Sequence, residues 1–126
     1  SSRYILKETC LTANCHPKWT EEQAVYTIDS IKAYTKSRMR KAEFWLSTLI
    51  DKVEEARIVG VDAKVLADAR TAHSKAHILW EYWTAENSDG FHNPELARES
   101  LTQSITISSN AIDALQKAID GKIAKK

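Results

Sequence analysis

The sequence predicts an all-α chain of three long amphipathic helices, arranged as a hairpin or bundle behind an N-terminal loop. Only 3 Gly and 2 Pro occur in 126 residues, and so little punctuation favours long uninterrupted segments over many short strands. After residue 19, apolar residues recur at steps of three and four over long stretches, the period of one helix face. The pattern breaks where turn chemistry sits, at Gly60 and at Asn87-Ser88-Asp89-Gly90.

The first helix opens at Thr20-Glu21-Glu22-Gln23, where Thr20 is placed to cap and Gln23 holds the reciprocal position of a capping box. Its apolar line runs Val25, Ile28, Thr35, Met39, Ala42, Leu46, Leu49, Val53 and Ala56, with Lys32 as a charged interruption. Gly60 ends it, as a residue just past a helix C-terminus does. Asp62 is placed to cap the second helix, whose line is Val65, Leu66, Ala69, Ala72, Ala76, Leu79, Trp80 and Trp83. Asn93-Pro94-Glu95 restarts the chain with a cap, a proline in the first turn and an acid near the positive helix end. Leu101, Ile105, Ile112, Leu115, Ile119 and Ile123 form the third stripe. Short links make sequential helices antiparallel neighbours. Stripes of this length exceed what two partner helices in one chain cover, so pairing with a second copy or another domain is expected.

Apolar residues at 43% and charged residues at 28% give the balance of a globular domain rather than a disordered segment. A formal net charge of +1 supplies no electrostatic funnel for nucleic acid or an anionic membrane surface. No run approaches the roughly 18–20 apolar residues of a membrane span. Lys122, Lys125 and Lys126 read as solvation of a helix end. Ser1-Ser2-Arg3, without Met, reads as the start of a mature fragment or a proteolysis product, so missing targeting information leaves the compartment open.

The chemistry-bearing motif is Cys10-Leu-Thr-Ala-Asn-Cys15-His16, a C-x4-C-H pattern. Two thiols followed by an adjacent His suit covalent c-type haem: the thiols make thioether bonds and the imidazole ligates the iron. The common spacing is C-x-x-C-H, and the longer insertion asks for a looser loop at the porphyrin edge. The same residues also allow a local Cys10–Cys15 disulfide with an incidental His. A metal site is the third option, although two Cys and one His fall short of four zinc ligands. Trp19 directly follows the motif, placed to cover an edge of a ring.

Pro17-Lys18-Trp19-Thr20-Glu21-Glu22 leads from the motif into the first helix, and Ala85-Glu86-Asn87-Ser88-Asp89-Gly90-Phe91-His92-Asn93-Pro94-Glu95 stands far along the chain. Together these resemble the C-terminal region of the ammonia-forming cytochrome c nitrite reductase family, pentahaem c-type cytochromes of the periplasm. The resemblance runs from about Cys10 to Ile105; the enlarged cysteine spacing departs from the pattern, and the second block is the more specific. It implies one haem c on Cys10, Cys15 and His16, the last haem of the enzyme and an electron-transfer centre. His92 is implied as the distal ligand of a neighbouring haem whose cysteines lie upstream. The catalytic haem of the family, ligated by the lysine of a C-x-x-C-K motif, has no counterpart here. The segment is therefore expected to be inactive alone. Residues 1–19 are then the haem-binding loop and 20–126 the helical bundle and dimerisation segment. Implied partners are the upstream haem domains, a second copy, and a redox cytochrome or quinol dehydrogenase.

Other candidates read as structure. His73 and His77 stand four apart on one helical face, a spacing that can grip a divalent metal. No acidic residue is read at the following step, and the pair is assigned to solvated surface. Trp45, Trp80, Trp83, Tyr26, Tyr34, Tyr82 and Phe44 are read as core or interface packing. Glu21-Glu22 and Glu54-Glu55 are read as solvated charge. No nucleophile elbow, phosphate loop or calcium loop is present. Two alternatives stand beside the nitrite reductase reading: a haem-free helical interaction module, and a segment of another multihaem oxidoreductase, one acting on hydroxylamine or sulfur oxyanions.

Overall fold

The structure, a computed structural model, describes residues 20–84 and 93–125. Three helices make up the described chain: α1 (Glu21–Val59), α2 (Ala63–Thr84) and α3 (Pro94–Ala124). No strand occurs among the described residues, so the all-α expectation holds.

Local chemistry sets the helix ends. At the start of α1 the Thr20 hydroxyl accepts from Gln23 N–H at 3.1 Å, and the Gln23 side chain accepts from Thr20 N–H at 3.0 Å. This reciprocal pair satisfies two backbone donors that the first helical turn leaves without partners. Gly60 closes α1 with φ +92°, a left-handed conformation that costs glycine nothing. Gly60 N–H reaches Arg57 O at 3.2 Å and Val61 N–H reaches Ala56 O at 3.0 Å, the two bonds of a Schellman motif. The accompanying apolar contact comes from Val61, 7% exposed and packed with Ala56 in one core cluster. Before α2, the observed cap contact of Asp62 is through its backbone, whose carbonyl accepts from Leu66 N–H at 3.2 Å. Asn93 caps α3 with its side-chain oxygen, which accepts from Leu96 N–H at 3.1 Å, and Pro94 occupies the first turn.

The helices run up, down and up, so α1 and α3 point the same way. Register follows from two core clusters. Leu49 and Ala56 of α1 meet Leu66 and Ala69 of α2 and Leu115 and Ile119 of α3 near the Gly60 turn. Met39 and Ala42 of α1 meet Trp83 of α2 and Ala97 and Leu101 of α3 at the other end. Each large aliphatic side chain buried this way contributes about 1.5–3 kcal/mol relative to exposure. Two polar bonds pin the same alignment: Trp80 Nε1 donates to Met39 O at 3.1 Å, and Lys52 Nζ donates to Gln116 Oε1 at 2.6 Å.

The stripes are legible but shifted. In α1, Ala24 is buried and Val25 half-buried. In α3, Leu101, Leu115 and Ile119 are buried, whereas Ile105 and Ile112 are half-buried. Ile123 is 55% exposed. The stripe reading missed Ala97, Ser104 and Ser108, all fully buried. Of the aromatics, Trp83 is buried and Trp45 and Trp80 half-buried, while Tyr26, Tyr34, Phe44 and Tyr82 are exposed. Core packing therefore accounts for the tryptophans but not for these four.

The surface carboxylates behave as expected. Arg57 donates to Glu54 through Nε at 3.0 Å and through its terminal nitrogen at 2.6 Å. That hydrogen bonding holds the Glu54 carboxyl below its ordinary range. Glu55 pairs with Lys52 at 2.9 Å.

Candidate functional site

The residues singled out for cofactor chemistry, Cys10, Cys15, His16, Trp19 and His92, lie outside the described residues. Their immediate successors are described. Thr20, one residue after Trp19, is the N-cap of α1, and Asn93, one residue after His92, is the N-cap of α3. Because α1 and α3 run in the same direction, both candidate segments enter the bundle at one end.

The two entry points are offset. Pro94, Glu95 and Arg98 at the start of α3 line a cleft of about 380 Å³ with Ser30, Ile31 and Tyr34 of α1. α1 thus extends roughly ten residues, or ~15 Å, beyond the start of α3. Tyr34 is held at this level by Arg38, whose Nε donates to the Tyr34 hydroxyl at 3.2 Å while the guanidinium lies 5.7 Å from the ring centroid. Trp83, 2% exposed, packs beneath this end of the bundle with Met39 and Ala97, and its buried Nε1 has no hydrogen-bond partner among the described residues.

A second concavity follows the outer seam of α2 and α3. It has a volume of about 520 Å³ and is lined by Val65, Ala69, Ala72, Ile107, Ala111, Ala114, Leu115 and Ala118, with Asp68 and Asn110 as polar members. The small side chains keep the seam shallow and open a close approach for another helix.

The histidine pair on α2 differs from the sequence expectation in one respect. The His73 and His77 rings stack with centroids 5.9 Å apart and planes 23° from parallel. An acidic residue does stand at the following step: Glu81 Oε2 lies 3.6 Å from His77 Nδ1. The signal was available, since residues four apart on a helix are neighbours. Burial, and then the charge of His77, push His73 below the ordinary histidine value. No group of three or more His, Cys, Asp or Glu able to hold a metal occurs among the described residues.

A family model described as cytochrome c552 matches residues 5–126. The chain belongs to the cytochrome c552 family. Membership in a cytochrome c family implies haem c. The cytochrome c nitrite reductase subunit NrfA of Nitratidesulfovibrio vulgaris is 38% identical over 77 residues, which are 61% of this chain and 14% of that protein. Among solved structures, the catalytic subunit of cytochrome c nitrite reductase from Desulfovibrio desulfuricans matches with a TM-score of 0.71 and 30% identity. That match covers 89% of this chain and 25% of the other. This member of the cytochrome c552 family therefore spans a quarter or less of the length of the relatives it matches. The resemblance read from Cys10-to-His16 and Ala85-to-Glu95 leads to the same family as these matches. No helix among the described residues is long and apolar enough to cross a membrane.

Proposed function

We propose that this chain is the C-terminal segment of a periplasmic multihaem cytochrome that reduces nitrite to ammonium with six electrons. In this reading it contributes one electron-transfer haem and a dimer-forming helical surface to that enzyme. The observation that carries the proposal is the span of the family match: residues 5–126 take in Cys10, Cys15 and His16, His92, and all three helices.

The donor set fits haem c. Cys10 and Cys15 supply the two thiols for thioether attachment, and His16, next in the chain, supplies an imidazole to the iron. When bound, the haem supplies a reversible one-electron couple. His16 would hold the iron from one side, and a second imidazole supplied by the upstream chain would leave no position for substrate, which would suit electron relay. Trp19, which follows the motif in the chain, would cover a ring edge.

His92 serves a different, neighbouring haem. The haem that binds nitrite belongs to the upstream chain, because no C-x-x-C-K motif is present here. This segment alone catalyses nothing. Its partners are the upstream haem domains, a redox cytochrome or quinol dehydrogenase, and a second copy seated on the alanine-lined seam of α2 and α3.

The test is the visible spectrum of the chain matured with the cytochrome c attachment machinery, with a pyridine haemochrome assay and intact mass. A sharp reduced c-type band and the added mass of one haem, both lost in Cys10→Ala and Cys15→Ala, are expected. A colourless protein carrying a Cys10–Cys15 disulfide after the same maturation would overturn the haem assignment and leave a helical interaction module.

A further inference from the structure

We propose that His73 and His77 on α2 form a two-nitrogen site for a divalent transition-metal ion, separate from the haem residues. The helix places both imidazoles on one face, one turn apart, and the rings already stack with centroids 5.9 Å apart and planes 23° from parallel. A modest rotation about their side-chain bonds brings two ring nitrogens onto one ion. Imidazole nitrogen is the ligand type that copper, nickel and zinc ions favour, and affinity in such a site follows the order Cu2+ above Ni2+ and Zn2+.

Three features prepare the pair. His73 is partly buried, and the same burial that disfavours its charged form keeps its lone pair available at neutral pH. His77 lies 3.6 Å from Glu81 through Nδ1, leaving Nε2 as the ligating nitrogen. A carboxylate on the far nitrogen orients a ligating imidazole and raises its basicity. Trp80 supplies a fixed wall: its ring centroid is 5.4 Å from that of His77, and its Nε1 is tied to Met39 O at 3.1 Å. Since no third protein ligand is grouped with the pair among the described residues, the remaining coordination positions are open to water. The site is an exchangeable one that accepts a further ligand from solution.

Titration of the full chain with Cu2+, followed by two-dimensional NMR, tests this with a localised readout. Paramagnetic broadening is expected at the amide and imidazole signals of residues 73–81 below one equivalent. In His73→Ala and in His77→Ala that broadening weakens, with apparent affinity falling at least about tenfold, since loss of an outer-shell partner alone commonly costs that much. Glu81→Gln, which keeps both imidazoles, is expected to weaken binding by less. Both histidines lie away from the fully buried core, and unchanged far-UV circular dichroism of the variants separates lost binding from lost fold. Signals of residues 73–81 that stay sharp at one equivalent, or that broaden in both histidine variants as much as in the unsubstituted chain, would overturn the proposal. Haem attachment at Cys10 and Cys15 is read separately by mass and spectrum, so its failure leaves this result standing.

Discussion

Ser104 of α3 donates its hydroxyl proton to the Ala76 carbonyl of α2 across 2.7 Å, and the bond is fully buried. One turn further along the same helix, Ser108 is equally buried, yet its hydroxyl has no partner among the described residues. Two chemically identical side chains at the waist of the bundle therefore have opposite energetic signs. A made neutral hydrogen bond contributes about 0.5–1.5 kcal/mol, and a buried orphan hydroxyl costs about 1–3 kcal/mol. Ser104→Ala is expected to lower stability by about 1 kcal/mol, and Ser108→Ala to raise it by about 1 kcal/mol. Urea unfolding of the two variants checks this, and equal signs would sink the account.

Gly60 is the second test, because the hairpin of α1 and α2 turns on it. A Cβ there would meet Lys122 Cε at 3.8 Å, an ordinary contact. The penalty is thus conformational rather than steric, and an L-residue at φ +92° costs about 1–2 kcal/mol. Gly60→Ala should show that loss in chemical denaturation while keeping native helix content. Gly60→Asn should recover part of it, since Asn tolerates the left-handed region better.

Leu115 and Ile123 lie two turns apart on one helix and were read as members of one stripe. Leu115 is fully buried beside Leu49 and Val61, whereas Ile123 is 55% exposed. Leu115→Ala is expected to cost about 2–5 kcal/mol through lost transfer and residual cavity. Ile123→Ala should stay within about 0.5 kcal/mol. Thermal unfolding of both variants checks the contrast, and comparable losses would show that the last turn of α3 is covered in solution.

His73 predicts a pH dependence of definite sign. Burial, with the charge of His77, places its folded-state value below the ordinary 6.5. Above 6.5 both folded and unfolded chains hold the residue neutral, and it contributes no slope. As pH falls below that value the unfolded chain binds the proton first, so stability declines until the folded value is passed. The midpoint of thermal unfolding should fall as pH drops below the ordinary histidine value of 6.5, and His73→Gln should flatten that fall. An unchanged slope in the variant would assign the dependence elsewhere.

The Thr20 capping box, the Asn93 cap, the Gly60 stop and the three helices were legible in the sequence because each depends on residues within a few turns of chain. Thr20 with Gln23 and Asn93 with Pro94 act locally, and the tertiary structure keeps both caps. The family was legible for a different reason: two thiols with an adjacent imidazole, and the Ala85-to-Glu95 segment, form a chemical signature that needs no fold to be noticed. Burial within each stripe was less legible. Stepping by three and four from Leu101 does reach Ser104 and Ser108, but a hydroxyl reads as surface until its neighbours are known. Glu81 beside His77 was reachable from helix geometry and was missed.

The sequence by itself determined the all-α class, the capped starts of α1 and α3 and the Gly60 stop, since each is written in short-range covalent order. Short links already led to the expectation that α1 and α3 run in the same direction, and only the tertiary structure decided how far the two are offset along the bundle. That arrangement brings the starts of both helices to one end of the bundle, with the α1 start farther out. It also decided which stripe members are covered. Ile123 lies level with the Gly60 turn, where α1 and α2 have ended and no described helix remains to remove it from water. Ser104 lies against the Ala76 carbonyl of α2, and both Ser104 and Ser108 are fully buried. Burial is a property of what lies opposite, and the sequence pattern of one helix does not specify it.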